Sequence, residues 1–168
     1  VGVRLVVKQA DPSGAIAPGQ YFPIDLPIPN SPDTGGDRYR DNIATCNSTA
    51  VSIGDLLYTE NGNMIGPTKQ GVKELVDQDP GAVWDTSSNQ ITGSAYGATG
   101  SPRIIRIPFF DPRNPPTSGK QQVEVTNIAS LFLEGIDGNG TVHARIMPPS
   151  GSHAGTTPGG LLFVRLVE

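Results

Sequence analysis

Asp33, Asp37 and Asp41 recur at four-residue intervals, with Arg38 and Arg40 between them. On a helix such carboxylates would share a face, and several carboxylate oxygens together are what a hard cation such as calcium takes. Gly35-Gly36 argues against a helix there, because glycine loses the most conformational freedom on ordering. The segment reads as a loop that either binds a cation through Asp33 and Asp37 or stays solvated. In the second case Asp33, Asp37 and Asp41 are candidate contacts for a partner. Asp137-Gly138-Asn139-Gly140 looks like the opening of a calcium loop, yet Thr141, Val142 and His143 follow where further ligands and a closing Glu are needed. A hairpin is the simpler expectation, since Asp-Gly and Asn-Gly tolerate positive φ.

The other reactive residue types lack partners at usable spacing. Gly151-Ser152-His153 lies among turn residues and not in a nucleophile elbow between strand and helix, and His143 and His153 have no spacing suited to zinc. Gly93 to Gly100 is glycine-rich but has no lysine and no following helix, so it reads as a flexible connection and not a phosphate cradle. Cys46 is the one cysteine, which leaves no internal disulfide; a small buried hydrophobe is its ordinary role. No catalytic residue, metal ligand or cofactor is assigned.

At 168 residues the chain suits one domain, able to bury roughly 70% of its unfolded surface. The 21 glycines and 16 prolines fall between regular apolar runs, so they serve as turn punctuation rather than marking disorder. Net charge is −4, from 12 basic and 16 acidic residues, which leaves no basic face for nucleic acid. No run of 18 apolar residues occurs.

Strand signals dominate. Runs at Val1 to Val7, Tyr21 to Leu26, Ala50 to Tyr58, Arg103 to Phe110, Gln121 to Leu133, Thr141 to Met147 and Leu161 to Val167 are bounded by Gly, Pro, Asn or Asp. Leu131, Phe132 and Leu133 are apolar on both faces, which predicts a strand in the middle of the core, with a bulge near Asn127. One helix is expected over 67–78: Pro67 opens it, Val72, Leu75 and Val76 form its buried side, and Asp79-Pro80 ends it. Ile65 and Trp84 are expected to anchor its ends. The predicted fold is mainly β, a β-sandwich or strongly bent sheet with this one packed helix.

The segment Gly62-Asn63-Met64-Ile65-Gly66-Pro67-Thr68-Lys69-Gln70-Gly71-Val72 is followed by Asp79-Pro80 and Trp84. Other blocks are Tyr39-Arg40-Asp41-Asn42-Ile43 with Cys46, Ser101-Pro102-Arg103-Ile104 leading to Phe110-Asp111-Pro112, and Asn127-Ile128-Ala129 before Phe132-Leu133-Glu134. Together they resemble the extracytoplasmic part of TadG-like proteins of tight-adherence (Tad, Flp-type) pilus assembly. The resemblance implies a single extracytoplasmic domain over 1–168, at the periplasm or cell surface. It also implies that the domain is a fragment of a longer chain held in the membrane only by an upstream helix. Its role would be non-enzymatic, through contacts with other pilus or cell-envelope proteins.

Within the motif, Gly62 and Gly66 are expected to supply backbone angles closed to other residues, and Asn63 to adopt a left-handed conformation or bond the turn. Thr68, with Gln70, is expected to satisfy first-turn amides. A second function class is a carbohydrate-binding or adhesin module, with Tyr21, Tyr39, Tyr58, Tyr96 or Trp84 offering a ring for stacking. A hydrolase is the third, and lacks a nucleophile and base at workable spacing.

Overall fold

The computed structural model describes residues 1–8, 21–26, 34–45, 47, 49–111, 113–114, 116, 120–148 and 163–166. Along the chain come β1 (Arg4–Lys8), β2 (Tyr21–Asp25), α1 (Gly35–Ala44), β3 (Leu56–Thr59), α2 (Ile65–Asp77), β4 (Val83–Asp85) and β5 (Gln90–Thr92). Then follow β6 (Ile104–Phe110), β7 (Gln122–Glu124), β8 (Asn127–Ile136), β9 (Val142–Ile146) and β10 (Phe163–Leu166). Eight strands form one sheet in the order β1-β9-β8-β6-β10-β2-β3-β7, and β4 pairs with β5 as a separate hairpin. Neighbours are antiparallel except β6 and β10, which run parallel.

Alternation along β6 and β8 explains the architecture. Ile105, Ile107, Leu131 and Leu133 point to one face, where they pack with Tyr39 and Ile43 of α1 and with Val72 and Leu75 of α2. Residues of the opposite parity point to the other face. There Phe132 and Ile104 meet Ala82, Trp84 and Ile91 of the β4–β5 hairpin, while Phe110 and Ile128 meet Ile24, Leu57 and Val123 of β2, β3 and β7. The expected doubly buried strand is therefore β8. For β2, β3 and β7 to cover a face of the sheet to which they belong, the ladder must bend strongly. The fold is mainly β, as expected.

Several local expectations are corrected. α2 begins two residues before Pro67 and ends at Asp77, and the run from Ala50 becomes strand only at Leu56. The run Gln121 to Leu133 is two strands, and the register shift in β8 lies between Leu133 and Gly135, not near Asn127. β4 and β5 had no clear signal, being three residues each. Asp137 to Gly140 does form the β8–β9 turn, with the Gly140 amide donating to the Asp137 carbonyl.

The largest difference is α1. Gly35-Gly36 fall at its first two positions, where amide groups have no intrahelical acceptor to lose, so their propensity costs little. Gly36 also lets α1 approach α2: a Cβ there would lie 3.1 Å from Pro67 Cγ. Deeper in the pair, a Cβ on Gly71 would meet the Arg40 carbonyl at 2.7 Å and Ile43 Cβ at 2.8 Å. Tyr39, Asn42 and Ile43 then form the buried stripe of a helix stabilised by its neighbour and not by propensity. Gln78 completes the joint by donating its side-chain amide to the Ala44 carbonyl at the end of α1.

Leu75→Ala is expected to cost about 2–5 kcal/mol in denaturant melts, since Leu75 is 1% exposed. Gly71→Ala is expected to cost about 1–3 kcal/mol through overpacking against α1. Gly66→Ala, with nothing within 4 Å of the added methyl, is expected to change stability by less than about 1 kcal/mol. Equal effects at Gly66 and Gly71 would contradict this helix packing.

Candidate interaction surface and the buried network behind it

α1 covers its face of the sheet only as far as β2. The Asp25 carboxylate, at the end of β2, accepts from Arg38 of α1 and from Lys120, and marks that limit. Asp25 stands opposite Tyr58, Tyr58 opposite Gln122, and Leu56 opposite Glu124, so these residues continue the same face across β3 and β7. Here the side chains are open to solvent: Leu56 is 58% exposed, Tyr58 48%, and Ile53, in the turn before β3, 66%. Lys120 Nζ lies 5.6 Å from the Tyr58 ring centroid, within cation–π range. The result is a small apolar row rimmed by Lys120, Glu124 and Gln122, on the last two strands of the sheet. Rimmed apolar patches of this kind are a usual feature of contact surfaces.

The aspartates singled out from sequence are differently placed. Asp33 lies outside the described residues. Asp37 and Asp41 belong to α1 and not to a loop, and Arg40 joins them, 2.7 Å from Asp41 and 3.4 Å from Asp37. The Asp41 carboxylate raises the Arg40 pKa, so a positive charge already occupies the place a cation would take. Asp37 alone is widely exposed, at 76% of its side chain. In the β8–β9 turn, Asp137 accepts from the Thr141 amide at 2.8 Å and lies 3.5 Å from His143 Nε2. Chiefly through the Thr141 amide, its carboxyl is held below the usual range. Among the described residues no group of three or more His, Cys, Asp or Glu is placed to hold a metal ion. Cys46, Ser152, His153 and the Tyr21 side chain lie outside the described residues.

The Gly62 to Trp84 motif is a corner, but its parts act differently from the sequence expectation. Gly62 has φ +76°, as expected; Gly66 is an ordinary helical residue, and Met64, not Asn63, takes the left-handed conformation at φ 47°. Thr68 does not cap an amide: its hydroxyl donates to the Met64 carbonyl at 2.7 Å. Tyr39 is fully buried beside it, and burial raises its phenol above the ordinary value, the Thr68 hydrogen bond pulling the other way. Ile65 is 39% exposed and is not part of the core against which Met64 packs. Trp84 does not anchor the other end of α2: it packs on the opposite face of the sheet, tilted on Phe132 with ring centroids 6.3 Å apart.

Sequence reasoning missed the densest polar cluster. Asp79 accepts from Ser94 Oγ and Ser101 Oγ, each at 2.6 Å, and from the Ala95 amide at 3.1 Å. Arg103 donates to the carbonyls of Leu133 (3.0 Å), Asp79 (3.1 Å), Ala82 (2.8 Å) and Glu134 (2.7 Å), and its guanidinium lies 4.8 Å from the Phe132 ring centroid. Asp79 and Ser101 are 1% exposed and Arg103 4%. Burial alone would raise the Asp79 carboxyl; the Ser101, Ser94 and Ala95 donors outweigh it and hold it below the usual range. Burial lowers the Arg103 pKa against the pull of Asp79 and Glu134. The segment 93–100 is thus a strap tied to Asp79, not a loose connection. The sequence offered no spacing that joins these residues; Asp79 and Arg103 stand only beside prolines, in Asp79-Pro80 and Ser101-Pro102-Arg103-Ile104.

Compared with protein-family models, with curated proteins and with solved structures, the chain shows no match to any of them. What its own coordinates define is a mainly β domain with two packed helices, among whose described residues no helix is long and apolar enough to cross a membrane.

Asp79 sets an acid dependence. Its folded pKa is depressed, so the stability it contributes is present above the unfolded value of about 3.9 and is lost as pH falls through the folded pKa. Asp79→Asn is expected to lower stability by roughly 1–3 kcal/mol at neutral pH. The gap to wild type should narrow below about pH 4 when melting temperature is followed against pH. Chelator is expected to leave the wild-type melting temperature unchanged, and a calcium-dependent rise of several degrees would show a missed site.

Proposed function

We propose that this domain is a non-enzymatic binding module of a bacterial cell envelope, a component of a Tad or Flp-type pilus or its assembly complex that works through protein contacts. The observation that carries the binding part is the bare face of β3 and β7, where Leu56 and Tyr58, with Ile53 in the turn before them, stay exposed although helices cover that face of β1, β6, β8 and β9. The pilus part rests on the TadG-like blocks. In their support, residues from three of those blocks (Asp79, Ser101, Arg103, Leu133 and Glu134) meet in one buried network. A shared interior knot of that kind would keep such blocks together in a family without any reaction to perform. Extracytoplasmic placement and an anchor outside this chain belong to the same proposal.

A carbohydrate-binding module is the second reading, favoured by the exposure of Tyr58 and of Tyr96, which is 57% exposed. Tyr39 is withdrawn from it, since its ring is buried between the helices.

Purified wild-type domain and a Leu56→Ser/Tyr58→Ser variant, probed against purified pilus and pilus-assembly proteins and against an oligosaccharide panel, separate these readings. Retention of a pilus protein by wild type, with at least tenfold weaker binding by a variant of unchanged melting temperature, is the expected result; tenfold corresponds to about 1.4 kcal/mol. Saturable sugar binding lost with Tyr58 or Tyr96 would shift the assignment to the second reading. Turnover of an ester, peptide or glycan abolished by one substitution would overturn both.

A further inference from the structure

Lys8 closes β1 with its side chain in the interior, 1% exposed. A register shift between Val6 and Lys8 in the β1–β9 pairing explains how Val7 and Lys8, adjacent in sequence, are both buried. Its Nζ donates to Asn63 Oδ1 at 2.8 Å and to the Asn63 main-chain carbonyl. Among the described residues no carboxylate pairs with it. Asn63 is itself held by an unusual backbone, because the next residue, Met64, is a non-glycine residue at φ 47°. Two local irregularities, one on each partner, thus aim an amine at a carboxamide.

We propose that Lys8 and Asn63 are the site of an intramolecular amide cross-link, formed by attack of Lys8 Nζ on Asn63 Cγ. The carboxamide carbon is bonded to the oxygen that the amine touches at 2.8 Å, so amine and carbon are neighbours, and the deprotonated amine has only to turn its lone pair from that oxygen to Cγ to attack. Nζ forms a bond to Cγ, the Cγ–Nδ2 bond breaks, and a proton lost by Nζ leaves with Nδ2 as ammonia; no oxidant or reductant is needed. Burial lowers the Lys8 amine to about 8, so the neutral nucleophile is present near neutral pH. The product also removes a physical difficulty, since a buried ammonium without an anion is costly and a hydrogen-bonded amide is not. The link joins residues 55 apart in sequence, fastening the edge strand β1 to the turn that opens α2. It does not depend on the pilus assignment.

Intact-mass spectrometry of the purified, denatured chain tests this directly. The wild-type chain, after incubation near pH 8, is expected to be lighter than its sequence by one ammonia, and a proteolytic digest to yield the Lys8 and Asn63 peptides joined. Lys8→Arg and Asn63→Ala should carry the full sequence mass. A wild-type chain of full mass with the two peptides recovered separately would overturn the proposal. So would an ammonia loss that persists in Lys8→Arg, which would place it at Asn61-Gly62 or Asn139-Gly140 by main-chain cyclisation.

Discussion

Arg103 occupies the point where four pieces of chain cross. Its guanidinium binds main-chain carbonyls after α2 (Asp79), before β4 (Ala82) and along β8 (Leu133 and Glu134), while β6, which begins at the next residue, runs beside β8. Asp79 gathers Ser94 of the strap and Ser101, which follows it, on the other side. A buried guanidinium is tolerated only when its donors are satisfied, and here each of its three nitrogens donates to at least one main-chain carbonyl. This requirement fixes the position of the β4–β5 hairpin over Phe132, and with it the cover on that face of the sheet.

The sheet has two faces to hide and uses unlike layers to do so. Helices cover one face of β6, β8, β9 and β1; the hairpin and the bent β2–β3–β7 end cover the other. The helix layer is only two helices wide, so it stops at the Asp25–Arg38 pair. The bare row on β3 is a consequence of that geometry: the same bend that buries Leu57 and Val123 turns Leu56 and Tyr58 outward on strands that the helices do not reach. The surface offered to a partner and the internal packing therefore follow from one arrangement.

The two helices touch through absence of side chains as much as through apolar contact. Gly71 admits the Arg40 carbonyl, and Gly36 admits Pro67. In the sequence these glycines count against helix, or as neutral members of a motif. In the structure they set the interaxial distance, which lets Tyr39, Ile43, Val72 and Leu75 share one core.

Periodicity by itself determined the mainly β class, α2, the doubly apolar β8 and the Asp137 to Gly140 turn, because in each the local pattern and the final environment agree. Gly62 was legible for the same reason: a positive φ is a local demand. α1 was not legible, since its stability comes from α2 and its glycines sit where local propensity is least tested. Asp79, Ser101 and Arg103 gave no spacing to read, because hydrogen bonds across 21 to 31 residues join groups that only the closed sheet brings together. Lys8 and Asn63 are the extreme case: a lysine on an alternating strand is expected in water, and only a register shift in pairing with β9 turned it inward. Which groups are buried, paired or bare is a property of strands meeting in three dimensions, and local sequence pattern carries no record of that meeting.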